Sequence, residues 1–308
     1  MDILWDDTAR ARWDKLHSAA GAALQQDWAF GDAFATFGNR ALRAEAQVDG
    51  RTVALAQFSV RSLGGFAEWA LCTRGPVWLG AEDPDLRAEV IRRLRRDAPL
   101  KRPKASFFTP DEPDRPEIRA FWRGAGLRRV MTGYSTVLVN LGQRLEDLRA
   151  GLHKKWRNRL TQAEAAPVTV RAAPAKLSRY AWLLREEEKQ RSERGYAALP
   201  TALTPAYAQR GGSDRLTLLE AVHRGRPIAA MLFLRHGQAA TYHIGWSDAD
   251  GRRLGAHNLL LWSAFERLQA AGVRVLDLGG VDTERGAGLA RFKLGAGGEV
   301  TTLAGLYV

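Results

Sequence analysis

The sequence predicts an α/β protein built from a duplicated unit with a mixed sheet, and three observations carry that expectation. Gly50-Arg51-Thr52-Val53-Ala54, with Phe58 four residues on, recurs as Gly225-Arg226-Pro227-Ile228-Ala229 with Phe233 at the same spacing. Later in each half a helical pattern stops in one four-residue form, Ala125-Gly126-Leu127-Arg128 and Ala271-Gly272-Val273-Arg274. Tight turns at Asp49-Gly50, Arg224-Gly225 and His236-Gly237 join neighbouring apolar runs, which argues against a purely parallel sheet. The halves divide near residue 142, into 1–142 and 143–308, on pattern alone, because no Pro/Ser-rich linker separates them.

Taken in order, the opening residues with Trp5, Trp13 and Leu16 among charges predict an amphipathic helix. Leu24 to Phe37 is dense in aromatics and reads as a second helix, with most of its rings in the core. Strands are expected over Leu42 to Val48, Thr52 to Val60 and Trp69 to Cys72, the last broken by Arg74-Gly75-Pro76. Asp83-Pro84 starts a helix, a cap followed by proline at the first helical position. That helix carries Arg87, Arg92, Arg93, Arg95 and Arg96, a cluster that reads equally as a phosphate-tracking surface or a solvated face. A strand over Ala105 to Thr109, a helix from Pro116 through Trp122 and one long strand from Arg128 to Leu141 close the first half.

The second half opens with a helix over Leu145 to Ala165 that Pro167 ends. A strand over Val168 to Arg171 and a charged helix over Leu177 to Arg194 follow. Three strands, Thr217 to Val222, Ile228 to Leu234 and Ala240 to Trp246, then lead to a helix over Ala256 to Ala270. The apolar strand Val273 to Leu278 runs into paired glycines, and a short helix-like turn carries Phe292 and Lys293. Gly295, Gly297 and Gly298 release the chain into a last strand. Glycines on both sides of a lysine read in two ways: as a tight αβ junction, or as places where a ligand comes close to the backbone.

Composition bounds the chemistry. The 308 residues, 45% hydrophobic and 26% charged, suffice for two globular domains with a real core. No apolar run reaches the ~20 residues of a membrane helix. The charged opening MDILWDDTARARWDKL is unlike a signal peptide, so a cytoplasmic protein without membrane insertion is expected. A single cysteine, Cys72, excludes an internal disulfide and has no paired base near it in sequence. The net charge of +12 points either to polyanionic partners or to a generally solvated basic surface. Six scattered histidines offer no metal-ligand spacing, so no metal site is expected. No Gly-x-Ser-x-Gly elbow, Walker loop or dinucleotide fingerprint occurs. What remains is transfer chemistry that depends on positioning and charge. Arg252-x-x-Gly255 at a helix start matches part of the pyrophosphate loop of acyl-CoA acetyltransferases, but His257 stands where that loop has a small residue.

The motifs LHKKWRNRLTQAEAAPVTV (Leu152 to Val170), Tyr242-x-x-Gly245, HNLLLWSAFERL, Asp277-Leu278-Gly279-Gly280, Gly288-Leu289, Phe292-Lys293 and Gly297-Gly298, in that order, resemble the Fem-type (FemABX) aminoacyltransferases that build peptidoglycan interpeptide bridges. The first half is similar too, in LQQDWAFGDAF and Arg74-Gly75-Pro76-Val77. The resemblance implies two tandem acetyltransferase-like (GNAT-like) domains with mixed sheets, the second carrying the catalytic motif. It implies an aminoacyl-tRNA as co-substrate with no other cofactor, a UDP-linked or lipid-linked muropeptide precursor as acceptor, and a monomer, located in the cytoplasm or at the inner face of the membrane. Carried over by motif, Lys293 is the catalytic residue, and Phe292, Tyr242, Arg194, Tyr196, Arg191 and Trp28 bind substrate. Lys154, Lys155, Arg157 and Arg159 are the candidates for contact with tRNA. One departure concerns the acceptor's phosphates: many members have a lysine shortly after the first-domain tryptophan, whereas Trp28 is followed by Asp32, Ala33 and Phe34. The alternative on the same superfold is an acyl-CoA-dependent N-acyltransferase, and a non-enzymatic RNA-binding module is a third expectation.

Overall fold

The computed structural model describes every residue except 81, 196–198 and 285 and the side chain of Arg194. The chain forms two compact units, Met1–Ser135 with Thr301–Val308, and Thr136–Val300. The first holds β1 (Asp2–Trp5), α1 (Arg10–Ala19), α2 (Trp28–Ala35), β2 (Arg40–Val48), β3 (Arg51–Leu63), β4 (Ala67–Thr73), β5 (Val77–Trp78), α3 (Pro84–Asp97), β6 (Lys104–Thr109), α4 (Pro116–Gly124) and β7 (Arg129–Met131). Next come β8 (Ser135–Asn140), α5 (Leu145–Gly151), α6 (Lys154–Glu164), β9 (Thr169–Ala173), α7 (Leu177–Arg194), α8 (Leu203–Gly211), β10 (Leu216–His223), β11 (Arg226–His236) and β12 (Ala239–Ser247). The chain closes with α9 (Ala249–Arg253), α10 (Ala256–Ala270), β13 (Val275–Gly280), α11 (Ala287–Leu294), β14 (Glu299–Thr302) and β15 (Leu306–Tyr307). One sheet runs β1-β2-β3-β4-β6-β15-β7 with β5 on β3, and the other β14-β8-β13-β12-β11-β10-β9.

Four expectations are corrected by the structure, three of them through long-range pairing. The N-terminus is a strand before it is a helix: β1 pairs antiparallel with β2. Asp6, at φ 51, accepts from the Arg43 N–H and donates its own N–H to Arg43 O, so α1 begins only beyond that turn. The aromatic segment from Leu24 is interrupted at Asp27, whose carboxylate caps α2 by accepting from the Phe30 N–H. The long strand expected over 128–141 is two strands in different sheets, β7 and β8. Between them Gly133 passes so close to Leu303 that a Cβ would lie 1.9 Å from the Leu303 carbonyl oxygen. The helix expected over 145–165 is likewise two, α5 and α6, because Leu152 is extended and the His153 N–H donates to Gly295 O.

The duplication is visible at the level of individual hydrogen bonds. Asp49-Gly50 and Arg224-Gly225 both turn with positive φ at two successive residues, 50° and 74° against 50° and 79°. Each turn is followed by the same irregularity, Val53 bulged between the pairs Ala46↔Ala54 and Gln47↔Thr52, and Ile228 between Ala221↔Ala229 and Val222↔Pro227. Buried Glu45 and Glu220 precede the matching alanines, and each binds a half-exposed arginine, Arg12 and Arg171. The two Ala-Gly helix stops also agree, with Leu127 N–H donating to Trp122 O and Val273 N–H to Leu268 O, over Gly126 and Gly272 at φ 86° and 81°.

Both cores are apolar and aromatic. Phe58, Phe108, Trp122 and Tyr307 stack through the first, while α6 and α10 close the second against Phe233, Met231 and Leu276. Full burial of each such side chain contributes roughly 1.5–3 kcal/mol.

The units differ in one strand pairing. In each, a four-stranded antiparallel run, β1-β2-β3-β4 or β9-β10-β11-β12, meets the next strand in parallel. The pair β4·β6 stays in register over Glu68–Thr73. The matching pair β12·β13 is joined only over Ala239–Thr241 with Val275–Asp277. Beyond Thr241 the two strands separate, and the second sheet is open where the first is closed.

Candidate active site in the opened sheet

The side chains at this opening come from both strands and from α11. β13 bulges against β8 between Asp277 and Gly280. The bulge is held by Asp277, whose Oδ1 accepts from Thr136 Oγ1 at 2.6 Å and from the Gly279 N–H at 2.7 Å, with Gly279 at φ 75°. The Gly280 carbonyl then accepts from Lys293 Nζ at 2.8 Å. Lys293, in the last turn of α11, is 6% exposed and its Nζ lies 5.8 Å from the centre of the Tyr242 ring. Burial lowers the lysine's pKa to about 8, and the Asp277 carboxylate opposes that shift.

β12 carries a bulge of its own at His243, between the pairs Leu232↔Ile244 and Phe233↔Tyr242. The bulge brings Tyr242 and Gly245 to the same place. A Cβ on Gly245 would lie 1.8 Å from Tyr242 Oη, so the Tyr-x-x-Gly pattern exists because the phenol sits over the glycine. Tyr242 also packs on Phe233, with ring centres 5.6 Å apart. His243 meets Thr204 Oγ1 at 2.8 Å, and burial lowers its pKa to about 4, so it is neutral at physiological pH.

Phe292 packs on Trp156 of α6 and on His257 of α10, at ring-centre distances of 5.8 and 5.9 Å. Trp156 Nε1–H donates to Phe292 O, which ties α6 to the helix that carries the lysine. Glycines on the far side of Lys293 complete this packing: a Cβ on Gly295 would meet Trp156, and one on Gly298 would meet Val137 and the Leu138 carbonyl. Of the two readings of the glycine-rich stretch, close packing accounts for Gly295 and Gly298, whereas Gly279 and Gly280 face the lysine amine.

The structure thus brings Lys293 and Tyr242 together, packs the neighbouring Phe292 on Trp156 and His257, and distributes the other sequence candidates. Lys154 and Lys155 are exposed on the first turn of α6, beside Trp156. Arg157 donates to Ala150 O, and Arg159 donates to the carbonyls of Arg252 and Arg253 at 2.6 Å each, so both hold the fold together. Arg191 makes a 3.4 Å contact with Leu199 O. Arg194 ends α7, and Tyr196 lies outside the described residues. Trp28 belongs to the first unit, where the Arg43 guanidinium stacks 3.7 Å over its ring and bonds Asp32 and Gln57. Sequence reasoning misses Trp156 and Thr136 as parts of this site, and it reads His257 only as a departure from the coenzyme A loop. Trp156 lies within the Leu152 to Val170 motif, whereas the hydrogen bond from Thr136 to Asp277 spans 141 positions and has no local signal.

The coenzyme A loop is altered in more than composition. Gly255 caps α10 in the left-handed region, but Arg252 donates to Ser247 O, and His257, its pKa lowered by burial, donates from Nε2 to Trp246 O. Cys72 is fully buried and burial pushes its thiol pKa up, which removes it as a nucleophile. Among the described residues no cluster of His, Cys, Asp or Glu suits a metal ion. Among them, too, no helix is long and apolar enough to cross a membrane.

Fold and site together define a tandem acetyltransferase-like protein, an acyltransferase architecture with one opened unit. Residues 148–294 match the family model of the acetyltransferase (GNAT) domain. The whole chain is similar in fold to FemX, at 12% identity and a TM-score of 0.82, over 100% of this chain and 96% of that one. This bears out, at the level of fold, the resemblance to the Fem-type aminoacyltransferases. A domain from Agrobacterium fabrum described as the C-terminal part of a lysylphosphatidylglycerol synthetase is similar at 16% identity and TM-score 0.57, covering 97% of this chain and 92% of that domain. A tandem GNAT protein from the clavulanic acid biosynthesis pathway matches at 15% identity and TM-score 0.51, over 99% and 98% of the two chains. No curated protein sequence matches the chain significantly.

Proposed function

We propose that the protein is an aminoacyltransferase that moves an amino acid from aminoacyl-tRNA to an amine of a peptidoglycan precursor, with Lys293 as its catalytic residue. The observation that carries this reading is the buried ammonium of Lys293 at the point where β12 and β13 part. Attack of a neutral amine on an aminoacyl ester forms a C–N bond and places negative charge on the former carbonyl oxygen. An ammonium in a site with little water stabilises that oxyanion by a few kcal/mol. Collapse breaks the ester C–O bond, and the ribose oxygen leaves with the proton that the attacking amine gives up. With a pKa of about 8, Lys293 is charged at neutral pH and acidic enough to assist that departure. No covalent enzyme intermediate is needed.

In this reading Tyr242 and Phe292 are the aromatic walls of the site, and the exposed Lys154 and Lys155 are the proposed contacts to the tRNA backbone. Likeness in fold to FemX supports the reading, as does likeness to a domain named for lysylphosphatidylglycerol synthesis. The acyl-CoA alternative is disfavoured by His257 and Arg252, which bind the protein's own carbonyls. Mass spectrometry of wall peptides from cells with and without the protein tests the proposal. A missing or shortened bridge is expected in its absence, and an unchanged bridge combined with micromolar coenzyme A binding by calorimetry would favour the alternative.

A further inference from the structure

The tip of the hairpin joining β3 and β4 is unusually apolar for a solvent-facing turn. Gly64 and Gly65 both have positive φ and the Phe66 N–H donates to Leu63 O, so the turn is tight and projects its two flanking side chains. Leu63 is 67% exposed and Phe66 63%. Trp69, opposite Arg61 across the hairpin, is 46% exposed and rests edge-on against Phe107. Cations surround this tip. Lys101 Nζ donates to Gly65 O at the turn itself, and Arg61 and Arg102 are exposed beside it. Among the described residues none of these three forms an ion pair, and Glu68, the acid within the hairpin, is occupied by Arg40 and the Lys101 N–H.

We propose that this hairpin docks the protein on an anionic lipid bilayer, with Leu63 and Phe66 entering the apolar layer and Arg61, Lys101 and Arg102 meeting the headgroups. Shape and chemistry favour a bilayer over other partners. The apolar groups sit on a projecting tip, Leu63 has no π-face on which a nucleobase stacks, and tryptophan beside cations is the composition of a membrane interface. Large apolar side chains exposed on one projecting turn with this rim call for a partner. The proposal stands whatever reaction the second unit performs.

Flotation with phosphatidylglycerol/phosphatidylethanolamine vesicles tests it, against phosphatidylcholine vesicles. The wild type is expected to float with the anionic vesicles only, and less so as salt rises. Leu63→Ser/Phe66→Ser should lower the partition coefficient at least tenfold, and each of Arg61→Gln, Lys101→Gln and Arg102→Gln about fivefold. Circular dichroism with an unchanged Tm establishes that these variants are folded. A second readout keeps Leu63 and Phe66: in Ser62→Cys, with Cys72 buried, an environment-sensitive fluorophore on the new thiol should shift to the blue with anionic vesicles. Absence of binding to anionic vesicles, partitioning that ignores the Leu63/Phe66 change, or a tip that instead binds short single-stranded RNA through the same residues would overturn the proposal.

Discussion

The Lys293 ammonium donates to the carbonyl oxygen of Gly280 at 2.8 Å, on the strand whose Asp277 carboxylate is its electrostatic counterweight. A buried charge balanced in this way costs stability. Its pKa in the folded protein, about 8, lies below the unfolded value near 10.5. Between those values the unfolded chain binds more protons than the folded one, so stability rises with pH through that window, and below it the full penalty is present. Lys293→Met is therefore expected to be more stable than wild type at pH 7 by roughly 1–3 kcal/mol, after allowing for the lost bond to Gly280. Urea denaturation at several pH values measures this, and the gap should close as the pH passes from about 8 to above 10.5. A destabilised Lys293→Met at pH 7 would show that the amine is not a burdened group.

Asp277→Asn keeps an oxygen able to accept from Thr136 and Gly279 but removes the charge that favours the Lys293 ammonium. The lysine should then lose its proton at lower pH. The alkaline limb of transfer activity moves toward neutrality in this variant, with the melting profile little changed. A limb that stays in place would separate Asp277 from the electrostatics of the site.

Gly245→Ala places a methyl group 1.8 Å from Tyr242 Oη, so the ring must shift from its place over residue 245, which disturbs its packing on Phe233. Overpacking of this kind costs about 1–3 kcal/mol. Tyr242→Phe, which removes the oxygen, should recover part of that loss in the double variant. Additive effects in a double-mutant cycle would contradict the contact.

Much of this arrangement was legible from residues alone, where the physics is local. The hairpins at Gly50 and Gly225 repeat because a turn with successive positive φ values demands particular residues, and the Ala-Gly helix stops repeat for the same reason. Phe292-Lys293 and Asp277 to Gly280 stood out as motifs, and they meet. What stayed hidden depends on partners distant in sequence. Residues 2–5 pair with β2, which no helical periodicity in Trp5 and Trp13 reveals. Arg159 reads like a free cation but caps the carbonyls of Arg252 and Arg253. The parting of β12 from β13 leaves no compositional trace, since both strands continue past the point where pairing stops.

Transfer of a radiolabelled amino acid from charged tRNA to a muropeptide acceptor, compared between wild type and Lys293→Ala, bears most directly on the role assigned to the opened sheet. Label should pass to the acceptor amine with the wild type and fall by about 10²–10³ in the variant, the size of effect lost with one oxyanion donor. Full activity of Lys293→Ala would contradict the account.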